Sequence, residues 1–278
     1  MSSKFNPIGV FDSGYGGLTI LKEFINDLPD YDFIYLGDNA RAPYGSRSFE
    51  VVYEYTLQAV KKLFEMDCHL VILACNTASA KALRNIQQHD LPTIDPERRV
   101  LGVIRPAVES IGNYTKNGHV GILGTVGTVL SNSYPIELEK LSDGKVVQTS
   151  QEACPIWVPL VENNELNSIG TDYFVSKNIN NLLSADPEID SIILGCTHYP
   201  LLLSVIRKFV PENVQILEQG KLVSSKLVEY LKRHPEMDKK CSKSGKVKYY
   251  STENVETFER SAANFIGQTI QAEKILLK

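Results

Sequence analysis

The chain has 278 residues, 43% of them hydrophobic, and a formal net charge of −4. That length suits a soluble protein of two domains, and no apolar run approaches the ~20 residues needed to cross a membrane. The mild acidity lacks the clustered Lys and Arg of a direct nucleic-acid binder, and the short basic stretch Lys239 to Lys248, rich in Ser and Gly, reads as a solvated loop.

In chain order, the N-terminal "MSSKFNPIGVFDSG" has one early Lys but no apolar signal core, and "PIGVFD" within it reads as a strand ending at Asp12. The turn "DSGYGG" follows, then "LTILKEFINDL" with helical spacing. "DFIYLGD" is a second strand, ending at Asp38. The loop "ARAPYGSRS" holds Tyr44 and Gly45, and a helical pattern runs from Phe49 to Met66. "HLVILAC" is a third strand, ending at Cys75, and "RVLGVI", "HVGILGT", "DSIILGC", "VQILEQG" and "KVKYYST" read as further strands. Strand, loop and helix in alternation predict an α/β fold. Strands that are continuous apolar runs predict parallel sheets covered on both faces. In such sheets ligands bind outside the carboxyl ends of the strands, where Asp12, Asp38, Cys75, Thr125 and Cys196 all fall.

Two segments echo each other. "IGVFDSGYGGLT" resembles "VGILGTVGTVLS", and "LVILACNT" resembles "SIILGCTH" still more closely. The pairs imply two similar α/β domains, each with one cysteine at a strand end. The five cysteines are odd in number and irregular in spacing, without a C-x-x-C. They suit a reducing cytoplasm rather than a disulfide framework, and predict no metal. A lone cysteine after an apolar run is ordinarily a packed small hydrophobe, which is the reading for Cys68 and Cys154. Cys75 and Cys196 are different because they match. If the domains face each other across a cleft, one thiol reaches a ligand from each side. Two equivalent acid/base groups on opposite faces suit inversion at a carbon centre. Both cysteines are expected to precede helices, whose positive ends favour a thiolate. His198 lies close to Cys196 in sequence, and Asp12 is expected beside Cys75. "DSGYGG" stays open between a phosphate cradle, a tight turn, and a site for a carboxylate or ammonium group; it matches neither the P-loop nor the dinucleotide fingerprint.

At "GVFDSGYGGLT", "DNARAPYG", "ACNTASA", "GTVGTVLSNSY", "CPIWVPLVE" and "ILGCTHYPLL", in this order over most of its length, the chain resembles bacterial glutamate racemases of the cofactor-independent aspartate/glutamate racemase superfamily. The resemblance implies two flavodoxin-like domains, related by a pseudo-twofold, with the site in the cleft between them. Residues 1–97 with 217–278 are expected to form the domain carrying Cys75, and 98–216 the domain carrying Cys196. It implies that Cys75 and Cys196 are the acid/base pair, with no cofactor, that Asp12 and Asp38 assist Cys75, and that His198 and Glu162 assist Cys196. It implies that Asp12, Ser13, Tyr44, Gly45, Asn76, Thr77, Thr128, Thr197 and His198 hold glutamate. It further implies supply of D-glutamate for peptidoglycan and a homodimer, without membrane or nucleic-acid partners. Asn39, Arg105, Ala107 and Gly124 depart from the usual family pattern beside these motifs. The chain begins only a few residues before Ile8, so activation by a cell-wall precursor, seen in relatives with an N-terminal extension, is not expected. The rival readings are a racemase of another amino acid such as aspartate, a non-catalytic small-ligand sensor, and an inhibitory partner of a DNA-handling enzyme.

Overall fold

The computed structural model describes residues 5–278; Met1 to Lys4, on which the reading of a missing signal core partly rests, lie outside the described residues. Ten strands follow one another as β1 (Ile8–Asp12), β2 (Phe33–Gly37), β3 (Leu70–Leu73), β4 (Arg99–Gly102), β5 (His119–Gly124), β6 (Gln148–Ala153), β7 (Ser191–Gly195), β8 (Gln215–Leu217), β9 (Val247–Ser251) and β10 (Ala272–Lys274). They form two sheets among the described residues. One is six-stranded in the order β10-β9-β2-β1-β3-β4, and the other is four-stranded in the order β6-β5-β7-β8. Every pairing is parallel.

The strand orders explain the sequence echo. The run β2-β1-β3-β4 in the first sheet and β6-β5-β7-β8 in the second have the same order, so β1 corresponds to β5 and β3 to β7. In each sheet the chain reverses its winding between those two strands. That is the switch point at which doubly wound sheets open a crevice. Cys75 follows β3 and Cys196 follows β7, so the two thiols occupy equivalent switch points.

The central strands are fully buried apolar runs, which is why their sequences were legible. The edges differ. β6, "QTSQEA", is polar and only half-buried, and β10 is a three-residue edge; neither carries an apolar run. β4 pairs with β3 from Leu70↔Arg99 to Leu73↔Gly102, so the chain leaves the first sheet after Gly102 rather than at 97/98. It returns after β8, through the helix Gln219–Arg233, which packs on α1 (Leu18–Asp27). A second long helix, α2 (Phe49–Glu65), covers the first sheet, its N-terminus capped by the Ser48 side chain. No helix among the described residues is long and apolar enough to cross a membrane.

Candidate active site

Register fixes what meets at the cleft. Asp12 pairs with Gly37 and Phe11 with Leu73, so Asp12, Asp38 and Cys75 emerge from one end of the first sheet. In the second sheet Gly124 pairs with both Gly195 and Ala153, which sets Thr125, Cys196 and Cys154 side by side. The two ends meet at one cavity of about 90 Å³ lined by both Cys75 and Cys196.

Cys75 caps the short helix α3 (Asn76–Lys81): its sulfur accepts the Ala78 N–H at 3.4 Å and lies 3.4 Å from Ser13 Oγ. Burial, and then the negative charge of Asp12, push this thiol up to about 12, so at neutral pH it holds its proton. Asp12 is itself raised by burial against the opposing pull of His198. One of its oxygens accepts the Gly14 N–H at 2.9 Å and the other has no partner.

The Cys196 side is built differently. No α-helix starts at Cys196; a turn leads to a 3-10 segment, Tyr199–Leu202, with Pro200 in its first turn. The expected helix end is therefore absent, and His198 stands in its place. His198 Nδ1 lies 3.9 Å from the Cys196 sulfur and Nε2 lies 3.0 Å from Glu162 Oε1. Burial disfavours the imidazolium, but the Cys196 sulfur and Glu162 outweigh it and push His198 up to about 10. At neutral pH a positive charge thus faces Cys196. The Phe265 ring meets His198 edge-on at 5.3 Å.

Hydroxyls and amides complete the walls. Thr77 Oγ1 bonds Thr125 Oγ1 at 2.9 Å across the two sheets, and Thr125 bonds Thr128 at 3.0 Å. The Gly127 N–H donates to Gly45 O at 2.7 Å, tying the Tyr44 loop to the second domain. The Thr19 hydroxyl donates to Thr197 O at 3.2 Å. Ser13, Tyr44, Gly45, Asn76, Thr77, Glu162, Thr197 and His198 line the cavity.

Three of the expected residues do not line it. Asp12 is near enough to Cys75 for its charge to raise the thiol, and the Thr128 hydroxyl bonds that of Thr125; neither is among the lining residues. Asp38 is saturated. It takes Arg41 Nε at 2.6 Å, Thr252 Oγ1 at 2.9 Å and the Tyr44 hydroxyl, so it orients Tyr44. Cys154, read from sequence as packing, does line the cavity, because the register sets it beside Thr125. Tyr134 and Gln219, which hold Asn76, were not legible; each comes from a segment remote in sequence from "CNT". The lining contains no Lys or Arg, so anionic groups can be held there only by N–H groups, hydroxyls and His198. Among the described residues no group of three or more His, Cys, Asp or Glu could hold a metal ion.

Residues 19–223 match a family model described as Asp/Glu/Hydantoin racemase. The chain is 38% identical to the glutamate racemase of Persephonella marina over 271 residues, covering 97% of each chain. Its fold is similar to the crystal structure of glutamate racemase isoform RacE1 from Bacillus anthracis, with a TM-score of 0.88, 34% identity, and coverage of 99% of this chain and 98% of that one. It is also similar to the Francisella tularensis glutamate racemase solved in complex with D-glutamate, with a TM-score of 0.83, 28% identity, and coverage of 98% and 97%.

Proposed function

Because the chain belongs to the Asp/Glu/Hydantoin racemase family, we propose that it interconverts L- and D-glutamate by two-base catalysis, with Cys75 and Cys196 as the acid/base pair. The observation that carries this reading is the pair of thiols at equivalent switch points of two sheets, opening on one cavity.

From D-glutamate, the Cys75 thiolate takes the α-proton. The C–H bond breaks, S–H forms, and the electron pair spreads into the adjoining carboxylate. The Cys196 thiol then gives its proton to the opposite face and is left as a thiolate beside the His198 imidazolium. From L-glutamate the roles exchange. A neutral Cys75 thiol opposite a protonated His198 is the state that receives L-glutamate. The substrate ammonium brings positive charge into the cavity and offsets the burial and Asp12 effects that oppose a Cys75 thiolate. Asp12 stands where it can pass protons to and from Cys75, and Glu162 holds the imidazolium. Ser13, Asn76, Thr77, Thr197 and the Tyr44–Gly45 loop bind the substrate's charged ends. In this reading the enzyme supplies D-glutamate to peptidoglycan synthesis from the cytoplasm, as a homodimer of two-domain protomers.

The test is α-proton exchange in deuterated water. The unmodified enzyme should place deuterium at the α-carbon of the product in both directions. Cys75→Ser should lose exchange of D-glutamate, and Cys196→Ser exchange of L-glutamate, each by at least about a hundredfold. Full racemisation by either variant would sink the two-base scheme. Polarimetry with aspartate alongside glutamate tests the choice of substrate.

A further inference from the structure

Asn76 opens α3, next to Cys75, and lines the cavity. Its carboxamide is gripped by two side chains from elsewhere in the fold. Tyr134 belongs to the helix Ser133–Leu141 of the second domain, and Gln219 opens the helix that carries the chain back to the first sheet. The Asn76 Nδ2 donates to Gln219 Oε1 at 2.7 Å, and the Tyr134 hydroxyl donates to Asn76 Oδ1 at 2.8 Å. The Gln219 Nε2 in turn donates to the Tyr134 oxygen, closing a ring. All three side chains are buried.

Each member of the ring gives one hydrogen bond and receives one. Rotating the Asn76 amide alone would set its oxygen against Gln219 Oε1, two acceptors face to face in a buried place where unpaired polar groups are costly. The amide therefore turns only if the whole ring turns. An asparagine has two N–H donors and two oxygen lone pairs, so the ring leaves one of each for a ligand. Stability alone does not call for such a ring, since apolar side chains of similar shape would fill the space as well.

We propose that Gln219 and Tyr134 are positioning residues for the racemisation: they fix the Asn76 carboxamide beside Cys75, so that its free N–H and lone pair meet the substrate in one orientation. The ring draws on the first domain, the second domain and the return crossing, so it is complete only when the two domains are docked. This inference rests on the proposed glutamate reaction.

The experiment is a double-mutant cycle on KM for D-glutamate, with folding checked by circular dichroism. Gln219→Leu and Tyr134→Phe should each raise KM about tenfold while kcat changes less than about threefold, the pattern of lost uniform binding. In an Asn76→Ala background the same substitutions should change KM less than about twofold, because they act through Asn76. Gln219→Glu keeps the volume and the acceptor for Asn76 but loses the donor to Tyr134, and serves where the leucine variant does not fold. KM penalties carried undiminished into the Asn76→Ala background would overturn the proposal, as would a KM like that of the unmodified enzyme in the folded single variants. Failure of the unmodified enzyme to turn over glutamate would instead remove the proposed function, so the two failures are distinguishable.

Discussion

Asp12 is a buried carboxylate with one oxygen on the Gly14 amide and the other unpartnered. Its pKa in the folded protein lies above its unfolded value, chiefly through burial. The native state therefore binds the proton more tightly, and stability falls as pH rises from the ordinary carboxylate range through the raised value. At neutral pH, above the ordinary carboxylate range, this titration has already cost the fold stability. Asp12→Asn should raise Tm by a few degrees at pH 7, with the gain shrinking as pH is lowered towards 4, while racemisation falls at least about tenfold through loss of the proton carrier beside Cys75. A thermal melt across pH with parallel rates checks both halves, and an active variant with no gain in Tm would contradict the argument. Sequence alone placed Asp12 near Cys75 because both end central strands. It placed Asp12 among the substrate contacts as well, while its burial and unpartnered oxygen emerge only in the fold.

The turn from β1 into α1 is the element on which the docking of the two domains depends. Gly16 in this turn faces the second domain so closely that an added Cβ would lie 2.1 Å from Thr197 Oγ1 and 2.5 Å from His198 Nδ1. "DSGYGG" thus reads as a turn whose glycine admits the opposing domain, with Ser13 of the same turn lining the cavity. Gly16→Ala must push Thr197 and His198 away, and kcat should drop at least about a hundredfold, since small misplacements of acid/base groups are expensive; circular dichroism should show both sheets intact. Near-normal kcat in this variant would mean that the domains do not dock as described. Elements of this kind were partly legible. The strands β1, β2, β3, β5 and β7 announce themselves because burial on both faces demands unbroken apolar runs. The edge strand β6 was missed for the converse reason: one side faces solvent, and its residues are Gln, Thr, Ser and Glu. The sequence is read as a helix start after both cysteines; Cys75 caps one, and a 3-10 segment follows Cys196. Pro200 and the turn before it break the parallel, and His198 does on that side what a helix end does on the other.

At the scale of the molecule, the chain passes between the sheets twice among the described residues, after Gly102 and after Leu217. The duplicated strand order was legible in the echo of "LVILACNT" and "SIILGCTH", but the contacts that close the cleft were not, since they join segments with no shared pattern. The cavity of about 90 Å³ is bordered by a lip, the Tyr44 loop docked on the helix Val126–Leu130. Gly127 N–H meets Gly45 O at 2.7 Å there, and an added Cβ on Gly45 would stand 2.9 Å from Thr125 Cβ. With this lip as the entry route, turnover should part and re-form the Gly127–Gly45 hydrogen bond. The strands beneath have no reason to open with it. Hydrogen exchange should therefore be faster over residues 42–46 and 125–128 than over β1, β3, β5 and β7 in the free enzyme. Saturating D-glutamate should slow exchange at the lip severalfold and leave the strands unchanged, because local openings draw on the least stable contacts of a fold. Equal protection of lip and strands in the free enzyme would place the entry route elsewhere. Slowing spread evenly over both sheets would mean that the ligand stabilises the fold as a whole and does not close this lip.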